Sequence, residues 1–256
     1  MASPWEGLFR RLADREMILP YFEQAMLSDK WPDEYTVKID SSPYYGAGDG
    51  YFHPSSHPLM GARRLYYMFH PETRDQIIQE RRTLQSHMTL SMGSALHGII
   101  QAQFQMAGLI TSPDMIEVEY VNRDHHVRGR ADFIVDHPQG ERLLVELKTQ
   151  NSYAFKKQEE IKPAWDAQLS LALDNLGVET GILMVLESGW PYQMREYRVT
   201  RNVPLLEEIY AKFDYVRECI ARDTPPPHCC ADQSDEMKKC PARFLCWEAP
   251  HGQAAS

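Results

Sequence analysis

The chain predicts an α/β domain: a central mixed β-sheet flanked by helices, with a cysteine-bearing segment at its C-terminal end. Three observations lead there. Runs rich in strand-favouring residues, Met115 to Val121, Arg130 to Val135, Arg142 to Lys148, Gly181 to Glu187 and Gln193 to Thr200, are interleaved with segments whose apolar residues recur at helical spacing. Two of those runs are joined by a reverse turn, which makes a hairpin, while others are separated by a helix long enough for a crossover. Four of the five cysteines are bunched in Cys229–Cys246, apart from the apolar pattern. A length of 256 residues suits one large domain and a small appendage. The expected division is an N-terminal arm over 1–50, a core over 51–222 and a cysteine-bearing segment over 223–256.

Taken in order, Leu8 to Met26 is a short apolar-periodic segment, followed by a Pro, Asp and Gly-rich stretch that ends in Gly46-Ala47-Gly48-Asp49-Gly50. In Phe52-His53-Pro54-Ser55-Ser56-His57-Pro58 a serine offers its oxygen as N-cap to a helix through Arg63-Arg64-Leu65-Tyr66-Tyr67. That helix either packs its aromatic face on the core with solvated arginines, or turns arginines and tyrosines to a nucleic-acid backbone. From Met88 to Ala107 a helix places Gly93, His97 and Gln101 on one face. In the strand that follows, Glu117 and Glu119 share a face, with Glu119 an accessory carboxylate or, like its neighbour, simply solvated. Thr149 to Tyr153 reads as a loop. Lys162 to Leu176 is a helix with Pro163 near its start and Gly177 as its stop. Gln168 projects from its largely apolar stripe, and a buried amide needs a partner. Pro204 to Arg222 is an amphipathic helix in which Cys219 is a buried thiol.

Composition narrows the function classes. Lysine and arginine number 27 against 36 aspartate and glutamate, a net charge of −9, so a surface coated all over by nucleic acid is excluded and any such contact is local. No run of 18 apolar residues exists and the first residues, Met1-Ala2-Ser3-Pro4-Trp5-Glu6, lack a basic then apolar leader. The expectation is an intracellular, cytoplasmic protein with no membrane partner. An odd number of clustered cysteines fits a reducing compartment and a local metal site better than a disulfide framework.

The hairpin carries the chemistry. Its strands are Arg130-Ala131-Asp132-Phe133-Ile134-Val135 and Arg142-Leu143-Leu144-Val145-Glu146-Leu147-Lys148, with His137-Pro138-Gln139-Gly140 between them. A turn centred on Gln139 sets Asp132 opposite Glu146, where facing Cβ atoms lie roughly 4.5–5.5 Å apart. Period two then puts Lys148 on the face of Glu146 and sends Val145 and Leu147 into a core. Two carboxylates at that separation repel unless a positive charge sits between them, and oxygen ligands of this kind suit Mg²⁺ or Mn²⁺. Lys148 is placed to orient water or to meet charge developing on a phosphate. The plainer alternative is a surface hairpin with an ordinary cross-strand charge pair. Glu-x-Lys alone decides nothing, since Glu160-Ile161-Lys162 and Glu236-Met237-Lys238 repeat it outside any strand.

Gly93-x3-His97, Gly129-Arg130-x-Asp132, Glu146-Leu147-Lys148 and Gln168, in that order over roughly residues 52–246, resemble the RecB-like branch of the PD-(D/E)XK nucleases. The resemblance implies a restriction-endonuclease-like core. It implies Mg²⁺ or Mn²⁺ held by His97, Asp132, Glu146 and the carbonyl of Leu147, with Lys148 activating water or stabilising the phosphorus and Gln168 positioning Lys148. Ala172 stands where family members often carry tyrosine. The chain is also similar to the cysteine-bearing members, those of CRISPR adaptation and the AddB type, in its Cys240-x5-Cys246, which implies a [4Fe–4S] cluster. Here the upstream cysteine near Gly61 is absent and Met237 stands where another would fall, so Cys229 or Cys230 would substitute. The spacing leaves iron–sulfur, a zinc site that includes His228, and free thiols open, with Cys230, Cys240 and Cys246 as candidate ligands.

The expected activity is therefore metal-dependent hydrolysis of DNA, single- or double-stranded, by exonuclease rather than endonuclease action, in recombination or repair. A homo-oligomer or a recombination or replication partner protein is the expected assembly. Two alternatives stand beside it: a non-catalytic nucleic-acid-binding or assembly subunit of the same fold, and an RNA endonuclease.

Overall fold

The computed structural model describes residues 18–27, 37, 47–77, 83–137 and 140–248. Its helices are α1 (Leu19–Met26), α2 (Ala62–Phe69), α3 (Leu84–Met106), α4 (Ser152–Lys157), α5 (Pro163–Leu176), α6 (Val203–Ala221) and α7 (Asp235–Lys239). The strands β1 (Ile116–Asn122), β2 (Val127–Asp136), β3 (Arg142–Gln150), β4 (Thr180–Glu187) and β5 (Met194–Thr200) form one five-stranded sheet in the order of the chain. All neighbours are antiparallel except β3 and β4, which run parallel because α5 carries the chain back between them. The mixed sheet flanked by helices is the fold class that the sequence predicts.

Period two along β3 and β4 divides the interior into two cores. Leu144, Leu183 and Val185 face one side, where they meet Leu169, Leu171 and Leu173 of α5, Ile209 and Phe213 of α6, and Leu65 of α2. Val145, Leu147, Ile182 and Met184 face the other, against Phe22 of α1 and Ile100 and Phe104 of α3. A sheet covered on both faces explains why β3 and β4 read as nearly continuous apolar runs, and why a charged residue inside them carries information. α5 starts with Pro163 in its first turn and stops at Gly177, whose left-handed φ of 66° a β-carbon would strain. α1 is fastened from outside its own sequence: the buried Glu196 of β5 accepts from the amides of Ile18 and Leu19, at 2.9 Å and 3.3 Å. A carboxylate at a helix N-terminus satisfies free amides and offsets the helix dipole.

Several local expectations change. The helix over Arg63 to Tyr67 has Gly61, not a serine, at its N-cap and no side-chain cap. Ser55 and Ser56 are spent instead in the turn after His53. Residues 149–153 are not a loop. Thr149 and Gln150 finish β3, and Asn151 caps α4 by accepting from the Ala154 amide at 2.8 Å. In the hairpin turn the Gly140 amide bonds to the His137 carbonyl at 2.8 Å, while Pro138 and Gln139 lie outside the described residues, as do Leu8 to Met17 and Gly46. No described helix is long and apolar enough to cross a membrane.

Candidate active site

The β2–β3 pairing runs from Asp136–Arg142 to Phe133–Val145, which is the register that brings Asp132 next to Glu146. On β3, Leu144 packs in the α5 core and Glu146, two residues on, points the same way and is 2 % exposed. Lys148 Nζ donates to Glu146 Oε1 at 2.8 Å and to Gln168 Oε1 of α5 at 2.8 Å. Gln168 Nε2 donates to the same Glu146 Oε1 at 2.6 Å, closing a ring of three side chains. The amide projecting from the apolar stripe of α5 thus holds a buried ion pair. Glu146 Oε2 is buried and has no hydrogen-bond partner.

Asp132 reaches the site through a break in the sheet. The β1–β2 pairing includes Ile116–Phe133 and Val118–Ala131 and omits the residues between, Glu117 and Asp132. Ile116 and Phe133 belong to the α1/α3 core, whereas Val118 and Ala131 belong to the α5/α6 core, so both strands turn over at this step. Glu117 takes a left-handed φ of 54°, unusual for a residue with a side chain, and such strain persists only where neighbours enforce it. Gln101 does so: its Nε2 donates to Glu117 Oε1 at 3.0 Å and to the Asp132 carbonyl at 3.1 Å. Glu117 also pairs with Arg130. Freed from the ladder, the Asp132 carboxylate accepts from the Leu147 amide at 2.7 Å, and its other oxygen lies 3.6 Å from His97 Nδ1. Gly129 is needed next door, because any β-carbon there would overlap the ring of the buried Tyr120.

Packed this closely, the charges act on one another. Burial, and after it the charge of Asp132, pushes the carboxyl of Glu146 up to about 7. Burial works in the same direction on Asp132, but His97, Lys148 and the Leu147 amide outweigh it and hold that carboxyl below its ordinary value. Burial alone would lower the imidazole of His97, yet Asp132 beside it leaves it above the usual histidine range. Lys148 is likewise raised: the attraction of Glu146 and Asp132 exceeds the cost of burial. Glu117 is pushed up, mainly by burial. The site is therefore a compact cluster in which Asp132, Glu146 and Glu117 face His97, Lys148 and Arg130.

The donor chemistry fits a divalent cation. A buried carboxylate oxygen without a partner on Glu146 is an atom that an ion or an ordered water would satisfy. As the side chains stand, Glu146 Oε1 is taken by Lys148 and Gln168, and Asp132 by Leu147 and His97. Accordingly, no group of three or more His, Cys, Asp or Glu side chains among the described residues is arranged to hold a metal ion. Binding one would require these carboxylates to turn from their protein partners.

The chain matches no family model, and no curated protein matches it by sequence. Solved structures do. The alkaline exonuclease LHK-Exo from Laribacter hongkongensis is 19% identical, over 68% of this chain and 89% of that one, with a TM-score of 0.50. This chain is similar to LHK-Exo in fold. A second structure of LHK-Exo, in complex with dAMP, is 17% identical over the same shares, with a TM-score of 0.48. SSO0001 is 17% identical over 90% of this chain and 94% of its own, with a TM-score of 0.47. What is shared with LHK-Exo is the fold, the sheet and flanking helices described above.

Of the residues singled out from the sequence, His97, Asp132, Glu146, Leu147, Lys148 and Gln168 lie together. Leu147 turns its side chain into the α1/α3 core and contributes its amide to Asp132. Glu119 lies away from the cluster: it is exposed and pairs loosely with Arg128, so the half-buried carboxylate of β1 is Glu117. Sequence reasoning missed Glu117, Gln101 as its clamp, and Tyr120, which lies within electrostatic reach of Glu146. Gln101 had a signal, its place four residues after His97. The turn-over at Glu117 had none.

At the other end of the core, Arg63 is not solvated but 6 % exposed. It donates to Cys246 Sγ at 3.1 Å, the Pro226 carbonyl at 2.6 Å and the Tyr67 hydroxyl at 3.2 Å. Tyr66 and Tyr67 are buried with it, so this helix packs its aromatic face inward. Cys246 Sγ also lies 3.2 Å from His228 Nδ1. Cys229, Cys230 and Cys246 are within electrostatic reach of one another, Cys229 fills the space beside Gly61, and Cys240 packs half-buried on the core.

Proposed function

We propose that this chain is a Mg²⁺- or Mn²⁺-dependent deoxyribonuclease acting as an exonuclease. The observation that carries the reading is the Lys148–Glu146–Gln168 ring beside Asp132, with a buried, unpartnered oxygen on Glu146. A structural pair would be expected to satisfy both carboxylate oxygens, whereas this one leaves an acceptor bare next to a second carboxylate. His97, Asp132 and Glu146, joined by the Leu147 carbonyl, would hold the metal. A bound divalent ion supplies a polarised phosphate and a water of lowered pKa. Lys148, steered by Gln168, presents its ammonium where the scissile phosphate gains negative charge, and a positioned cation of this kind lowers the barrier without reorganising. Glu117 and Gln101 hold Asp132 at the break in the ladder. The preference for exonuclease action is supported by the fold shared with an alkaline exonuclease.

The cysteine-bearing segment is proposed, on the resemblance, to hold a [4Fe–4S] cluster or zinc through Cys230, Cys240 and Cys246. The grouping of Cys229, Cys230 and Cys246 supports this, but such a group would have to displace Arg63 from Cys246.

Digestion of end-labelled and closed circular DNA with Mn²⁺, with Lys148→Ala in parallel, tests the reading. Mononucleotide release from ends, absent in the variant, is the expected result. No cleavage of any DNA by the wild-type protein overturns it.

A further inference from the structure

Beyond the strand ends that carry Lys148, the surface changes character. Trp190 is 84 % exposed, Tyr192 57 % and Tyr153 69 %, an unusual outlay of aromatic area on one edge of a protein with two well-filled cores. Tyr153 belongs to α4, five residues after Lys148. Trp190 and Tyr192 belong to the β4–β5 connection, whose Ser188 amide bonds to the Gln150 carbonyl at 2.7 Å, just before α4 begins. The two segments form one rim. Below it opens a cleft of about 770 Å³, lined by Phe22 and Met26 of α1 and by Phe155, Tyr192, Met194 and Arg195. That volume lies within the range of sites that enclose a small organic group.

Cations interleave with the rings. Lys157 lies over the Tyr153 ring at 4.2 Å, and Arg195 lies over Phe155 at 4.2 Å. Arg195 is pinned by the carbonyls of Phe155 and Gln158, both at 3.0 Å. Two amides lie nearby in the fold: Gln150, two residues beyond Lys148 on the same face of β3, and Gln158, whose carbonyl accepts from the cleft residue Arg195. Both are more than nine-tenths buried, and neither amide group has a partner. Glu23 lies at the cleft and makes it a poor seat for a phosphate. Flat rings, cations and free amides without a phosphate cradle suit a nucleobase.

We propose that this edge is a base-stacking subsite for single-stranded DNA, in which Trp190, Tyr192 and Tyr153 stack unpaired bases flanking the nucleotide at Lys148, and Gln150 or Gln158 meets a base edge. The inference rests on the nuclease reading and adds to it that the strand arrives unpaired. Aromatic platforms accept any base, because every base has a π-face.

The test is binding of a fluorescent oligothymidylate to the whole chain in EDTA, where no metal-dependent cleavage can occur, beside a blunt duplex of equal length. Trp190→Ala, Tyr192→Ala and Tyr153→Ala should each weaken single-strand binding by about 5- to 150-fold. Trp190→Phe should keep most of it, and thermal melting should be unchanged because the rings are exposed. With Mn²⁺, KM for single-stranded DNA should rise while kcat holds. Variants that bind like the wild type while cleavage persists overturn the subsite and leave the nuclease reading standing. Equal loss on duplex overturns the single-strand assignment. Dissociation of a wild-type dimer by the triple variant, seen by light scattering, would make the edge a protein interface and overturn it too. No oligothymidylate binding by the wild type also overturns the subsite, and only added failure to cleave DNA reaches the nuclease reading.

Discussion

Two regions of this molecule bury a cation, and they do it in opposite ways. Lys148 is sunk among acids: Glu146 accepts from it, Asp132 lies close, and one carboxylate oxygen is still bare. Arg63 is sunk among neutral acceptors, a carbonyl, a phenol and a thiol, and among the described residues no carboxylate pairs with it. The first region has a carboxylate acceptor to spare and suits a further cation. The second has positive charge to spare, which Cys246 feels directly: burial raises its thiol while Arg63 pulls the other way. The contrast teaches that a buried charge does not by itself mark a site. What distinguishes the hairpin is the surplus left after the internal pairs are counted.

The largest expected effect tests that surplus. Lys148→Ala should lower the cleavage rate on the order of 10²–10³-fold, the usual cost of one lost electrostatic donor, while Mn²⁺ binding by calorimetry stays equal or tightens because a repelling cation is gone. Asp132→Asn should abolish cleavage, with weakened Mn²⁺ binding. The same response to Mn²⁺ in both variants would erase the distinction between lysine and ligand.

Arg63→Leu should act on stability rather than chemistry. Removing the guanidinium leaves three buried acceptors without their donor, so a loss of about 3 kcal/mol is expected, with a fall in Tm of roughly 6–12 °C for a chain of this size. Specific activity of the folded fraction should hold. A stable Arg63→Leu protein would mean that the second region is held by something other than its cation, and metal analysis of anaerobically purified protein would show whether iron or zinc does it.

A third test uses pH to separate the regions. His57, packed between Phe52 and Phe69 near α2, has its pKa lowered to about 3, first by burial and then by His53. Its neutral ring accepts from the His53 amide at 2.7 Å. A histidine depressed in the folded state binds its proton more readily unfolded, so the stability is complete above about 6.5 and is lost as pH falls toward 3. Between pH 6.5 and about 5 the loss should approach 2 kcal/mol, and His57→Asn, which keeps an acceptor, should flatten it in melts against pH. An unchanged slope would assign the acid sensitivity elsewhere.

A last test is Glu146→Gln in metal-free protein. The carboxyl is raised from 4.5 to about 7, so its burial costs stability progressively as pH rises through that window. The variant should be more stable than the wild type above pH 7 and no more stable near pH 4, read from denaturant unfolding in EDTA. A loss above pH 7 would mean that the Lys148–Glu146 pair is a structural asset, and the two regions would then be alike.

By itself the sequence determined the mixed sheet flanked by helices and the hairpin register. Period-two alternation in Leu143 to Lys148 decides which residues are buried on which face, and the turn length decides which positions of β2 and β3 meet. It also placed His97, Glu146, Lys148 and Gln168 on defined faces, because helical and strand periods are local properties. Only the tertiary structure decided what those faces meet. The turn-over at Glu117 and Asp132 depends on Gln101 arriving from another element, and the burial of Arg63 depends on Pro226 and Cys246 folding back over α2. Neither leaves a local pattern, since a left-handed glutamate and a buried arginine go against their own propensities and exist only because distant partners satisfy them.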